Sequence, residues 1–431
     1  MSKRLKIIIA AMAVTLISAP IFLKKEKKFI NFFEYVDSCG VKTHQIRIKS
    51  SNVVYVKCKF KNAGVLHNSR EKHGISAIAG DLLCRKIGGL SPEETEEKIR
   101  ELGMGDLSVS AGEDDFVLSF FVLKDKAEAA LKFLSSAFCE PEFSKSDLEF
   151  IKSRYPQILD PETSHPDELL LDELMKALYC SHNYGLPSTG TAQALGSITE
   201  DDVRDFIKSN FSKDMLEVFF VGDVSRSEIE SYIEIMFSKL PKSDPDRSSS
   251  EDHLNCPLSK DDFIFVYKKD MKEITGVITG IRLDNLSDKE KAAALIILKS
   301  LFDEKYGDFL AGLREQNIAC PVSSNFLQRR CSDVFYFFVY LDNKDLVKYK
   351  KYVQDKMSAC RYKLNLKNLN FFQDSAVMSS QNGFTDFVNI DKQIDNSLLP
   401  FSKITQSDFL EVAKKIFDES LRRTVYIGAE V

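Results

Sequence analysis

The sequence predicts an α+β protein of two similar halves, each a mainly antiparallel sheet flanked by helices. Three observations carry that prediction. At 431 residues the chain exceeds the length at which a single core usually stops growing, so it divides. A polar, proline-bearing stretch from Pro241 to Ser250 falls near its middle and has the composition of a linker. Before and after that stretch, hairpin-like strand segments and amphipathic helices recur in a similar order, without strict βαβ alternation. The expected organisation is an N-terminal signal peptide or signal anchor at 1–30, a first half at 41–240, a linker at 241–260 and a second half at 261–431.

Composition narrows the class. Hydrophobic residues make up 44% and charged residues 29%, which supports a packed core and excludes a disordered, collagen-like or multispanning protein. The formal charge is -5, but residues 1–28 hold seven basic residues against Glu26, so the remainder is acidic. An acidic body with no basic stripe excludes nucleic acid as a partner. Lys3, Arg4 and Lys6 precede an uncharged, mainly apolar run from Ile7 to Leu23, and Lys24, Lys25, Lys27 and Lys28 follow it. That pattern reads as a secretory signal or anchor, and Pro20 directly after Ser18-Ala19 disfavours cleavage. The body is therefore expected at the cell envelope, periplasmic and anchored in the inner membrane, or secreted if the signal is removed. Nine cysteines without C-x-x-C spacing give no legible disulfide framework or zinc finger.

The elements follow from local pattern. Thr43 to Ile48 and Asn52 to Lys61 read as a hairpin around Lys49-Ser50-Ser51. Apolar residues at Ile75, Ile78, Ala79, Leu82 and Leu83 have helical spacing, so a helix is expected from His73 to Ile87, stopped by Gly88-Gly89. Ser91-Pro92-Glu93-Glu94 combines a capping serine, a first-turn proline and a glutamate three residues after the cap, which starts a helix running to Leu102. Leu107 to Ser110 and Phe116 to Leu123 read as paired strands, followed by helices at Lys126 to Phe138, from Ser144, and at Asp167 to Tyr179. A turn at Asn183 to Pro187, a capped helix at Thr199, a strand at Leu216 to Val221 and a helix at Ser225 to Leu240 complete the first half. The second half offers strands at Phe263 to Tyr267 and Ile274 to Ile281, a helix at Ser287 to Phe302, strands near Val322 and at Val334 to Leu341, and a helix from Lys344.

Several of these segments together resemble the pitrilysin and insulinase family of zinc metallopeptidases, which includes mitochondrial processing peptidases and their non-catalytic relatives. Gly74-Ile75-Ser76-Ala77-Ile78-Ala79-Gly80-Asp81-Leu82 stands where that family has its inverted zinc helix, and Leu90 to Gly103 resembles the helix and glycine turn after it. Tyr184-Gly185-Leu186-Pro187-Ser188-Thr189-Gly190-Thr191, the Ile198-Thr199 helix start and Val221-Gly222-Asp223-Val224 are similar to later segments of the family. The resemblance covers Val41 to Leu240, and more weakly Leu313-Arg314-Glu315-Gln316 with Val322-Ser323-Ser324. It implies a clamshell of the two halves.

The resemblance also shows what is missing. Active relatives hold zinc through H-x-x-E-H on a helix, with a distant glutamate as third ligand. This chain has no such motif. Ala77 and Asp81 stand at the histidine positions and Gly80 at the general base, on a face expected to look into a chamber. Gln157 or Ile158 stands at the distant ligand, in a helix where Pro156 is expected to cause a kink or an end. The histidines 44, 67, 73, 165, 182 and 253 show no metal-ligand spacing, no G-x-S-x-G elbow occurs, and no cofactor is expected. The resemblance implies peptide contacts at Ser108 and Val109, where the family prefers asparagine and alanine, and at Arg314. A second-half tyrosine of the family is replaced by Cys320 or Pro321.

The function expected from these residues is that of a catalytically silent homologue, the non-catalytic subunit of a peptide-degrading or processing heterodimer with a zinc-bearing homologous peptidase. Its other partners would be peptide or unfolded protein and, through residues 1–30, the membrane. Two alternatives stand beside it: an active zinc endopeptidase with displaced ligands such as His73, Asp81 and Glu149, and a free-standing envelope peptide-binding or assembly protein.

Overall fold

The structure is a computed structural model that describes residues 31–159, 164–187, 189–242, 258–259, 264–303, 305–318, 322–382 and 399–429. The N-terminal run at 7–23 and most of the linker lie outside the described residues, as do His253, Cys320 and Pro321. Among the described residues no helix is long and apolar enough to cross a membrane.

The first sheet contains β1 (Asn31–Val36), β2 (Lys42–Arg47), β3 (Val53–Phe60), β4 (Gly105–Ala111), β5 (Phe116–Leu123) and β6 (Leu216–Gly222), in the order β1-β2-β6-β3-β5-β4. The second contains β7 (Ile264–Tyr267), β8 (Ile274–Leu283), β9 (Val322–Leu327), β10 (Asp333–Asp342) and β11 (Arg422–Gly428), in the order β7-β11-β8-β10-β9. The two orders are the same apart from the added β1. In each half the last strand inserts between the first two and runs parallel to the outer one, while every other pairing is antiparallel. Two mainly antiparallel sheets flanked by helices are therefore present, as the sequence predicts.

That insertion corrects one expectation. β2 and β3 are not a hairpin, because β6 lies between them and pairs with both. β6 is buried along its whole length, and a central position covers both its faces. Local turn chemistry at Lys49-Ser50-Ser51 looks like a hairpin because the alternative partner is more than 150 residues away in sequence.

The helices of the first half are α1 (Ile75–Leu83), α2 (Pro92–Glu101), α3 (Ala127–Cys139), α4 (Lys145–Leu159), α5 (Pro166–Tyr179), α6 (Ala192–Ser197), α7 (Glu200–Asn210) and α8 (Arg226–Phe237). Those of the second are α9 (Asp288–Phe302), α10 (Asp308–Glu315), α11 (Leu346–Cys360), α12 (Leu366–Asn382) and α13 (Gln406–Ile416). The serine and threonine caps read from the sequence at Ser91, Thr199 and Ser225 all form reciprocal capping boxes. Several boundaries differ from expectation by a few residues, two of them near the site. α1 ends at Leu83, four residues early, and Arg85 and Lys86 just beyond it reach Asp147 of α4 at 3.2 and 2.7 Å. α4 does not end at Pro156 but runs to Leu159.

Apolar faces of α1, α3, α4, α7 and α8 cover one side of the first sheet, and α9 to α13 cover one side of the second. α5 breaks the symmetry. Although it belongs to the first half in sequence, its Leu170, Leu174 and Leu178 pack on β8 and β11 of the second sheet. Gly280 of β8 makes room, since a Cβ there would stand 2.7 Å from Leu174.

A second link joins the halves at the tips of two strand pairs. The β4–β5 turn carries Glu113 and Asp114, and the β9–β10 turn carries Arg329 and Arg330. Arg329, whose side chain is 1% exposed, forms an ion pair with Glu113 and lies against the rings of Tyr179 and Tyr184, 5.0 and 4.7 Å from their centroids. The Arg330 amide donates to Asp114 Oδ2 at 2.9 Å, and the Tyr179 hydroxyl donates to the Ser332 carbonyl at 3.1 Å. On the other side of the β4–β5 turn, Val65 and Leu66 donate to the carbonyls of Gly112 and Glu113 at 2.9 and 2.8 Å.

On the opposite face of the first sheet, His44 is 5% exposed and stacks on Phe219 with ring centroids 4.3 Å apart. Burial pushes its pKa down to about 4, while Glu217 and Glu34 oppose the shift.

Two measurements check this arrangement. Glu113→Ala strands the Arg329 guanidinium and is expected to destabilise the chain by about 3 kcal/mol. The paired change Glu113→Gln with Arg329→Met is expected to cost less, and urea unfolding of both variants measures the difference. For His44 the unfolded chain takes up a proton near pH 6.5 and the native chain only near pH 4. Stability is thus lost as pH falls through that window, by up to about 3 kcal/mol. His44→Phe removes this component, which urea midpoints measured from pH 7 to pH 4 show directly.

Candidate functional site

The helix that resembles the zinc helix is α1, and three segments that carry the resemblance meet at its start. Gly74 precedes the helix at φ +96° and Gly190 adopts φ +92°, a region that side chains other than glycine rarely enter. Their backbones touch: a Cβ on Gly74 would lie 2.9 Å from the Gly190 Cα, and one on Gly190 would lie 2.6 Å from the His73 carbonyl oxygen. The His73 ring is buried and donates through Nε2 to the Pro187 carbonyl at 2.9 Å. Lys72 reaches Asp202, the capping-box acid of α7, at 2.7 Å. The Asn68 amide donates to Ser76 Oγ at 3.0 Å. The turn at Tyr184 to Thr191 and the Thr199 cap therefore hold α1 in place, a role that needs no metal.

The stripe Ile75, Ile78, Ala79, Leu82 and Leu83 is buried in the core as the spacing predicts. Of the three positions aligned with the motif, Ala77 is partly buried against that core and offers no donor atom. Gly80 is buried, contrary to the expectation that it faces a chamber. A Cβ there would stand 3.2 Å from Val109 Cγ1 and 3.4 Å from Phe116 Cε2. Asp81 is exposed, yet protein crowds its carboxyl enough that desolvation raises the pKa, with the Tyr155 hydrogen bond and the Arg154 charge acting against it. The Tyr155 hydroxyl of α4 donates to Asp81 Oδ2 at 3.1 Å. Tyr155 is a contact that the sequence does not signal, because nothing in a lone tyrosine on an amphipathic helix names its partner.

These residues do not fit zinc. One position lacks a donor, the next has no side chain and a Cβ there would crowd Val109 at 3.2 Å, and a single carboxylate already hydrogen-bonded to a phenol cannot complete three ligands. The Gln157 and Ile158 side chains lie outside the described residues, although α4 spans both positions. The displaced set His73, Asp81 and Glu149 is not brought together. His73 and Asp81 lie at opposite ends of α1, and Glu149 is exposed beside Lys152 at 3.4 Å. Among the described residues no group of three or more His, Cys, Asp or Glu side chains is placed to hold a metal ion. His67 contacts Arg330, His182 packs on Tyr179 and Tyr184, and His165 sits near Asp167.

Ser108 and Val109 lie on β4, an edge strand of the first sheet among the described residues, and pair with Ser119 and Leu118 of β5. Ser108 is exposed and Val109 turns toward α1. Arg314 lies near the end of α10, exposed and without an ion pair among the described residues. Among the described residues β4 stands at an edge of its sheet, and the sequence has no H-x-x-E-H motif on α1.

Two similar sheets with this strand order and a zinc-type helix without its ligands define a peptidase-like fold of the inactive type. The family model described as Peptidase M16 inactive domain matches residues 197–368. Among curated relatives, an uncharacterized zinc protease, YmxG, of Bacillus subtilis is 25% identical over 167 residues, 39% of this chain and 41% of that protein. The mitochondrial-processing peptidase subunit beta of Dictyostelium discoideum is 24% identical over 183 residues, 42% of this chain and 39% of that protein. The match thus spans about two-fifths of each relative. A solved structure of a peptidase M16 inactive domain from Pseudomonas fluorescens aligns with a TM-score of 0.79 at 19% identity, covering 93% of this chain and 99% of that one. The periplasmic protease PqqL from Escherichia coli aligns with a TM-score of 0.71 at 11% identity, covering 93% of this chain and 48% of that one.

The matched segment, the relatives and the fold together support the M16 peptidase family, the pitrilysin and insulinase family, for a chain that lacks the H-x-x-E-H motif.

The glycine contact at the start of α1 is open to measurement. Gly190→Ala places a Cβ against the His73 carbonyl at a positive φ and is expected to destabilise the chain by about 1–3 kcal/mol. Gly196→Ala, at a glycine of α6 with open space around it, is expected to be neutral or stabilising. Thermal unfolding of the two variants compares them.

Proposed function

We propose that this chain is a non-catalytic M16 subunit that works with a zinc-bearing homologous chain in a peptide-degrading or processing heterodimer at the cell envelope. One observation carries the reading: the contacts that build and hold α1 are intact, while the positions that would grip and use an ion are occupied by Ala77, a sterically closed Gly80 and a tyrosine-bound Asp81. Two lengths support the pairing. The chain matches 48% of the periplasmic protease PqqL, so a second chain of similar fold would supply the other half of such an assembly. Mitochondrial-processing peptidase beta, among the relatives, is by its name one subunit of a larger enzyme. The envelope location rests on the basic-apolar-basic pattern of residues 1–28 and on the periplasmic neighbour.

Within such an assembly this chain contributes surface. The edge strand β4 offers backbone groups to an extended peptide, a mode that tolerates side-chain change such as Ser108 and Val109. Arg314 is an unpaired cation, among the described residues, available to a peptide carboxylate.

The test is reconstitution. The chain without its first 28 residues is purified alone and with a zinc-bearing homologue from the same organism. The expected result is co-elution as one complex, peptide turnover that needs both chains and stops with chelator, and no turnover by this chain alone. Absence of a complex, with turnover by the homologue unchanged, removes the heterodimer. Chelator-sensitive turnover by this chain alone replaces the reading with an active peptidase.

A further inference from the structure

We infer that the position aligned with the general base has been closed from the strand side, so that this wall of the site is a built apolar contact between α1 and β4 and the loss of chemistry involves two positions, 80 and 109. The distances carry it. Gly80 is buried, and the first atom of any side chain placed there would stand 3.2 Å from Val109 Cγ1, with Phe116 Cε2 and Cζ at 3.4 and 3.6 Å. A glutamate extends three heavy-atom bonds farther and ends in a charge, which would have to lodge among a valine, a phenylalanine ring and the helix backbone.

The wall has little freedom to retreat. Val109 lies in the stretch Ser108 to Ala111 of β4, which pairs in register with β5 after an irregularity between Gly105 and Ser108, and it stands opposite Leu118. Phe116 is fully buried on β5, its ring 4.9 Å from that of Phe211. From the other side Tyr155 of α4 grips Asp81, the residue after Gly80. The helix is therefore fixed between β4 and α4, and the missing side chain at position 80 is matched by Val109 filling the space. Glycine is a poor helix-interior residue where alanine would fit. Here it is the residue that the gap admits.

The inference rests on the alignment of position 80 with the general base and is independent of the heterodimer, because its test reads the stability of this chain alone. Val109→Ala is introduced into three backgrounds, the natural chain, Gly80→Ala and Gly80→Glu, and urea unfolding midpoints are measured. In the natural chain Val109→Ala is expected to lower the midpoint. In the Gly80→Ala background that loss is expected to shrink by at least half, and in the Gly80→Glu background to reverse. Gly80→Glu by itself is expected to lower the folded-to-unfolded ratio at least about tenfold. If the Gly80→Glu chain does not fold, the alanine cycle decides alone. A Val109→Ala loss that stays the same, or shrinks by less than half, with alanine at position 80 overturns the inference.

Discussion

The ion pair between Arg329 and Glu113 is the constraint on which the arrangement of the two halves depends. It joins the tips of two strand pairs, β4–β5 and β9–β10, whose outer strands each form one edge of their sheet among the described residues. Removing a guanidinium from water is expensive, and the site answers that cost with a carboxylate, two aromatic faces and the Met175 sulfur. A contact of this kind adds little to stability over an apolar substitute, but it accepts only one docking geometry. Tyr179 and Tyr184 belong to the end of α5 and the turn after it, so the same cluster also fixes the helix that crosses onto the second sheet. The two halves are thereby joined at this cluster, although each has its own core.

From that junction the chain runs back to α1, and the direction of dependence explains which parts of the family pattern persist. The Tyr184 to Thr191 segment begins at the junction, where the Tyr184 hydroxyl donates to Asp114, and ends at the start of α1, where Gly190 meets Gly74 and the Pro187 carbonyl accepts a hydrogen bond from His73 Nε2. Each contact is backbone geometry or a partly buried hydrogen bond, and each can form whether or not a metal is present. The three motif positions on α1 take no part in these contacts. Ala77, Gly80 and Asp81 satisfy only packing against the core, Val109 and Tyr155. A scaffold maintained by steric necessity can outlast a reaction that needs particular donor atoms.

The fold was legible to the extent that its signals are local. The capping boxes at Ser91, Thr199 and Ser225, the apolar stripe of α1 and the paired strands β4 and β5 involve residues a few positions apart, and all stand where the sequence places them. Long-range partners were not legible. The β2–β3 hairpin failed because β6 comes from the far end of the first half, and β1 gave no signal beside the basic segment that precedes it. α1 stops at Leu83, and Arg85 and Lys86 just beyond it bond Asp147 on another helix, a partner no local pattern names. In the site, the absence of histidines and of a glutamate could be read directly, whereas the closure of Gly80 by Val109 and Phe116 and the capture of Asp81 by Tyr155 could not.

By itself, then, the sequence determined the class of the protein, its duplicated α+β plan and the lack of an H-x-x-E-H motif, because residue identity and short-range periodicity are sufficient for each. Only the tertiary structure decided which sheet α5 covers, how Arg329 couples the halves, and that position 80 is walled in and not simply vacant. Those are distances between residues remote in sequence, set by how two packed layers meet, and no local pattern in the chain encodes them.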